Sequence, residues 1–425
     1  MSEWKVYKLE DIVSFSQGFQ ISTDQQYEVK EKDMDRFIRI VDYTNKDEKP
    51  RYIKKIDKRY WAYKDDVVMI RYGSNTAGKV VRGLSGYIAN NMFKVNIIDN
   101  NILDKEFLYY FLSQERIYKY LKNSQSSSTM PAIKFSDLYK IDAYLPIIEQ
   151  QRKVATFLNF INEKTQLNTQ TNQTLEAIAQ AIFKSWFVDF DPVRAKAQAL
   201  SEGKSEREAN LSAMAVISGK TIEDLSQTEY QELWEIADAF PSELVANEEF
   251  GEVPKGWGVM KIEDVINKIP TGKKYSQKTV EETGKVPVLD QGRSGLIGFH
   301  NDEAGVKASI EDPVIVFANH TCYMRLISYD FSTIQNVFAF KGNNCNIYWL
   351  YLATLGKQKF TEYKGHFPDF LIKDIIYPQK KLTDLFGNFV KSIFFQITYK
   401  NSQNETLAQT RDLLLPKLLS GEMEL

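Results

Sequence analysis

The sequence predicts an α+β protein in which two similar α/β globular domains are joined by two long antiparallel helices. The helices read as a coiled coil within a pseudo-two-fold tandem repeat. Three observations predict this. The stretch Gln150–Val188 contains neither Gly nor Pro, and Val154, Leu158 and Ile161, then Leu175, Ala179 and Ile182, fall on a continuous 3-4 spacing. Thr165, Asn168 and Asn172 occupy the middle of that seam, and a seam apolar at its ends and polar at its centre asks for a partner helix. The pattern recurs 232 residues further on, as Phe386, Val390, Ile393, Ile397, Lys400, Asn404, Leu407, Arg411 and Leu414. The segments ahead of the two helices also match in order, as in an internal repeat.

Residues 1–148 read as the first globular domain. Asp65–Tyr72 is a predicted strand, followed by a loop with Gly73 and Gly78; Tyr87–Ile98 is a strand pair and Phe107–Leu121 an amphipathic helix. The long helix, residues 149–188, opens behind Pro146 and Glu149, with its breaker outside and a carboxylate near its N-terminus. Residues 189–254 read as a linker with short surface helices. Residues 255–380 repeat the first programme. Trp257–Asp264 answers Trp4–Asp11, the strand Val314–Phe317 behind Glu311-Asp312 answers the one behind Asp65-Asp66, and Trp349–Tyr363 answers Phe107–Leu121. Ile372–Ile375 before Tyr377-Pro378 answers Phe135–Leu138 before Tyr144-Leu145-Pro146. The second long helix closes the order in residues 381–425.

Composition bounds the function. The chain has 425 residues, 43% of them hydrophobic and 26% charged, which suits a globular protein with room for two or three domains. Two cysteines, Cys322 and Cys345, make no disulfide framework and no zinc site, which suits the cytoplasm. The N-terminal residues carry no basic and apolar leader pattern, and no apolar run approaches a membrane span, so neither secretion nor a membrane is expected. A net charge of -2 confines any basic surface to local patches.

Enzyme motifs are missing where each chemistry needs them. Asp191-Pro192-Val193 is not the Asn/Asp-Pro-Pro-aromatic tetrapeptide of an adenine methyltransferase. Glu282-Thr283-Gly284-Lys285 has the wrong spacing for a metal-dependent nuclease, and His300, His320 and His366 are too scattered for a metal site. Lys79 is followed by Val80, so Gly73–Lys79 is not a phosphate-binding P-loop. Nothing local supports a Cys322–His pair.

At the borders of the helices the sequence resembles the specificity subunits of Type I restriction-modification systems. The carriers are Leu145-Pro146 with Glu149-Gln150, Ala177–Val188 running into Asp189–Lys196, Pro254-Lys255-Gly256-Trp257, and Leu414–Gly421. The resemblance implies two target-recognition domains, each reading one half of a split double-stranded DNA sequence. The helix pair would hold them at a fixed separation. It implies no catalytic activity and no cofactor in this chain. S-adenosylmethionine would belong to two partner modification (methyltransferase) subunits docked on the helix pair, and restriction subunits would translocate and cleave. Independently, a pseudo-two-fold pair of domains matches the symmetry of a duplex, and unlike halves suit an asymmetric target. From Gln150 to Phe183 are 34 residues, a span of ~50 Å. The competing reading is a scaffold whose coiled coil merely joins two domains; it predicts no steep salt dependence of DNA affinity, whereas phosphate neutralisation does.

The expected DNA contacts lie at strand ends. In the first domain they are Arg71, Tyr72, Ser74, Asn75, Thr76 and Lys79, with Asn90 and Asn91 as a second pair. Arg suits guanine, Asn suits adenine, and Gly73 and Gly78 let backbone approach phosphate. In the second domain the corresponding residues are Asn319, His320, Thr321 and Arg325, with Gln335 and Asn336 matching the Asn pair. Lys273, Lys274, Gln291 and Arg293 are supporting contacts. Asn, Ser and Gly are also ordinary turn residues at strand ends.

Overall fold

The computed structural model describes residues 4–45, 48–73, 75–124, 132–227, 230–292 and 295–425. The chain divides into two units, Met1–Leu167 with Gln403–Leu425, and Asn168–Ser402. Among the described residues no helix is long and apolar enough to cross a membrane.

In the first unit Lys5–Lys8 pairs antiparallel with Asp142–Leu145. An antiparallel sheet follows the order Val13–Gln17, Met92–Ile97, Val67–Ile70, Val80–Val81. A second sheet runs Arg51–Lys54, Met34–Ile38, Gly86–Ile88, Trp61–Ala62, with its two central strands parallel. In the second unit Gly258–Lys261 pairs antiparallel with Asp374–Tyr377. Its first sheet runs Ile266–Ile269, Val337–Gly342, Val314–Ala318, Met324–Ile327. Its second runs Lys274–Tyr275, Ser332–Ile334, Val286–Leu289, Gly298–His300, again with a parallel central pair. The repeat therefore extends to strand order. It departs at one edge: Trp61–Ala62 follows Met34–Ile38 and Arg51–Lys54 in sequence and pairs antiparallel with Gly86–Ile88, whereas Lys274–Tyr275 precedes Val286–Leu289 and pairs parallel with Ser332–Ile334.

Two predicted helices are shorter than the pattern suggested. Phe107–Leu121 is two helices, Lys105–Leu112 and Glu115–Asn123. The chain leaves the helical region at Gln114 (φ -61, ψ 137), whose buried amide Nε2 donates to the Phe111 carbonyl at 3.0 Å. Trp349–Tyr363 is helical only within Ile347–Thr354, because Leu355 is extended and Gly356 sits at φ 74. The strand Asp65–Tyr72 is regular over Val67–Ile70, and Tyr72 forms an isolated bridge to Ala132.

The long helices are Ile148–Phe187 and Lys380–Ser420. In the first unit Val154, Ala155 and Leu158 share a core with Leu418, Leu419, Phe107 and Phe111. In the second, Ala179, Trp186 and Phe187 share a core with Phe386, Val390 and Trp349. There the Asn172 amide donates to Asn401 Oδ1 at 2.7 Å, a polar seam contact that fixes register better than another apolar pair.

The segment between Asp189 and Pro254, expected as a linker with short surface helices, holds among its described residues the helices Asp191–Ser201, Glu206–Ser218, Ile222–Gln227 and Gln231–Ala239, and the hairpin Leu244–Asn247/Gly251–Pro254. Trp186, 1% exposed, packs edge-on against Phe240, and Phe190 edge-on against Trp257. The aromatic cluster at the end of the first long helix is thus buried by this segment, which belongs to the core of the second unit.

Candidate nucleic-acid interface

Each unit brings a strand-end loop beside a two-residue polar turn. In the first unit the strand Val67–Ile70 delivers Arg71, whose backbone N–H donates to the Asn91 carbonyl at 2.8 Å. In the second the strand Val314–Ala318 delivers Asn319, whose N–H donates to the Asn336 carbonyl at 2.9 Å. The registers agree, Ile70 facing Met92 and Ala318 facing Val337. The correspondence of Asn90-Asn91 with Gln335-Asn336 is therefore structural as well as sequential.

Around Arg71 the groups converge. Its Nη1 donates to Gln17 Oε1 at 2.7 Å, and the guanidinium lies 5.2 Å from the Tyr72 ring and 5.5 Å from that of Phe135. Gln17 Nε2 donates to the Asn90 carbonyl at 2.9 Å, and the Asn90 amide donates to Gln20 Oε1 at 3.2 Å. Gly18 permits the approach: a Cβ there would lie 2.2 Å from the Ala89 carbonyl oxygen. Asn75 and Lys79 are exposed. The Thr76 hydroxyl turns back to the Tyr72 carbonyl at 3.2 Å. Ser74 lies outside the described residues. Asn90 and Asn91 also border a cleft of about 400 Å³ floored by Phe19, Phe37 and Ile40.

The second unit assembles the same region from other side chains. The His320 N–H donates to Gln291 Oε1 at 2.8 Å, the Thr321 hydroxyl to the Gln291 carbonyl at 2.5 Å, and Gln291 Nε2 to the Gln335 carbonyl at 3.4 Å. Arg325 Nη2 donates to the Asp290 carbonyl at 2.9 Å. Gln335 and Asn336 are exposed, and Asn336 takes φ 62, a left-handed conformation that Asn tolerates. Asn319 is a bracket: it is 8% exposed and its Oδ1 accepts the Phe367 N–H at 2.8 Å, which leaves its side chain holding the following loop. Lys273 and Lys274 have other hydrogen-bond and ion-pair partners. Lys273 pairs with Asp302 at 2.8 Å, holding that carboxyl below its ordinary range, and Lys274 reaches Thr333 Oγ1 at 2.9 Å. Arg293 lies outside the described residues.

Sequence reasoning missed Gln17, Gln20 and Tyr363. Tyr363, 84% exposed, stacks on His320 with ring centroids 5.0 Å apart, and His320 Nδ1 donates to the Lys364 carbonyl at 2.8 Å. Assigning Tyr363 to a helix hid it, and Gln17 is 54 residues from Arg71.

The thiols are not prepared as nucleophiles. Burial pushes Cys345 up to about 12 and raises Cys322, so both stay protonated at neutral pH. Among the described residues no cluster of His, Cys, Asp and Glu could hold a metal ion.

A family model described as the Type I restriction modification DNA specificity domain matches residues 1–177 and 254–375. Over its whole length the chain is 32% identical to the Type I restriction enzyme HindI specificity subunit of Haemophilus influenzae, all of which is covered. It is 25% identical to the Type I restriction enzyme MjaIX specificity subunit of Methanocaldococcus jannaschii, over 77% of this chain and 71% of that one. Among solved structures, the S subunit of a Type I restriction-modification system from M. genitalium has a similar fold, with TM-score 0.52 and 15% identity over 98% of this chain and 96% of that one.

Proposed function

The chain belongs to the Type I restriction-modification DNA specificity family and is a specificity subunit, and from that premise we propose that each unit reads one half of a split, asymmetric target in double-stranded DNA. The observation that carries the reading is the shared backbone clamp, Arg71 on Asn91 and Asn319 on Asn336. It places different side chains on one scaffold in each unit, so the two half-sites differ in sequence. Arg71, Asn75, Lys79 and the Asn90-Asn91 turn serve the first half. His320, Thr321, Arg325 and the Gln335-Asn336 turn serve the second, with Gln291, Lys273 and Lys274 in support.

The family consists of DNA-recognition subunits that are generally non-catalytic, and its members assemble with other restriction-modification subunits. In this chain the two long helices set the distance between half-sites and dock two methyltransferase subunits, with restriction subunits completing the complex. The protein itself needs no cofactor; S-adenosylmethionine is bound by the methyltransferase subunits.

The test is a long-read methylation map of cells expressing the modification subunits with and without this chain. A split methylated-adenine motif that disappears on deletion is expected. A methylation pattern unchanged by the deletion overturns the proposal.

A further inference from the structure

We infer that one glutamine carboxamide in each unit, Gln17 and Gln291, is the positioning residue that locks the strand-end loop onto the polar turn and so sets which base edges the unit reads. The inference rests on the base-reading function proposed above; it adds Gln17 to it and gives Gln291, named there only in support, a positioning role.

In the first unit Gln17 accepts from Arg71 Nη1 at 2.7 Å and donates to the Asn90 carbonyl at 2.9 Å. In the second, Gln291 accepts from the His320 N–H at 2.8 Å and donates to the Gln335 carbonyl at 3.4 Å. In each case one partner can only donate and the other can only accept, so the chemistry fixes which way the carboxamide points. Both sites tie the loop to the first residue of the polar turn, through the Arg71 side chain in the first unit and, in the second, through the backbone of His320, which follows Asn319, the counterpart of Arg71.

The repeat does not account for this coincidence. Gln17 ends the strand Val13–Gln17, opposite Phe93. Its counterpart, by the register of Ile269 opposite Ala339, is Pro270, which has no amide side chain. Gln291 instead follows the strand Val286–Leu289 of the other sheet. Two unrelated positions supply one device, which points to a requirement of the joint. A side chain held before DNA arrives loses less conformational freedom on binding, and a held Arg71 presents one orientation to a base.

The test is a per-position methylation map in cells expressing the full chain with its modification subunits. Gln17→Leu removes both bonds, and Gln17→Glu keeps the Arg71 contact while losing the donor to Asn90; Gln291→Leu is made in parallel. Gln17 is half-buried at a strand end, so its variants retain the core. Each Leu variant is expected to lose about tenfold discrimination at one or more positions of one half-site, Gln17 and Gln291 affecting opposite halves. Gln17→Glu is expected to relax the same half as Gln17→Leu, and it decides the matter if the Leu variant gives no methylation. A motif unchanged by these variants, or one weakened equally in both halves, overturns the inference. A wild-type chain that yields no split motif overturns the base-reading function itself.

Discussion

Lys196, the last residue of the sequence signature that begins at Asp189, is 5% exposed, and its ammonium donates to the Ala237 and Phe240 carbonyls at 3.1 and 2.7 Å. It closes the C-terminus of the helix Gln231–Ala239, where a cation also meets the favourable end of the helix dipole. Lys196→Met leaves two buried carbonyls without that donor while removing the cost of a buried charge, so a net loss of about 1–2 kcal/mol is expected. Burial lowers the folded pKa below 10.5. Above the folded pKa the folded lysine is neutral while the unfolded one still binds a proton, so stability rises with pH across that window. The advantage of wild type over Lys196→Met in urea denaturation should therefore widen between neutral pH and pH ~10; a shrinking difference would refute the assignment. At this scale the loop at Arg71 and the Asn90-Asn91 turn, which the structure sets side by side, were legible as turns because turn chemistry is local. Nothing local to Asn319, expected as a base contact, tells that its side chain is held on the Phe367 N–H.

Helix junctions show what an element needs from outside itself. Gln151 is fully buried, accepts the Asp104 N–H at 2.9 Å and donates to the Ile102 and Pro146 carbonyls at 2.8 and 2.9 Å. At the position 232 residues further on, Thr383 accepts the Asn346 N–H at 3.2 Å and donates to the Lys380 carbonyl at 2.8 Å. Asp104 and Asn346 are the N-caps of Lys105–Leu112 and Ile347–Thr354, so each long helix holds the start of a shorter one through a buried polar group. Gln151→Leu strands three backbone groups and should cost ~3 kcal/mol; Thr383→Val, nearly isosteric, strands fewer and should cost ~1 kcal/mol. Denaturant midpoints give the ranking directly, and equal or reversed losses would sink this account. The long helices were legible because their period persists over about eight turns, whereas the break at Gln114 depends on a buried side chain that periodicity does not register.

For the whole molecule, the boundary between the two units falls at Leu167/Asn168 on the first long helix and at Ser402/Gln403 on the second, within the polar middle of both seams. A polar centre does not anchor a core, so length can change there without removing buried apolar contacts. If the helices set the distance between half-sites, inserting four helical residues near Asn168–Thr171, matched by four near Lys400–Gln403, adds ~6 Å and turns the helix by a net ~40°. Two added base pairs of B-DNA supply a similar advance, ~6.8 Å, with a rotation of ~70°. The lengths match, and the rotations differ by ~30°. The methylated motif should therefore keep both half-sites, gain about two base pairs between them, and be modified less efficiently than the wild-type site. Inserting four residues in only one helix leaves the partner too short, and that chain should lose the split motif. A matched insertion that leaves the spacer unchanged would show that something other than the helices sets the distance.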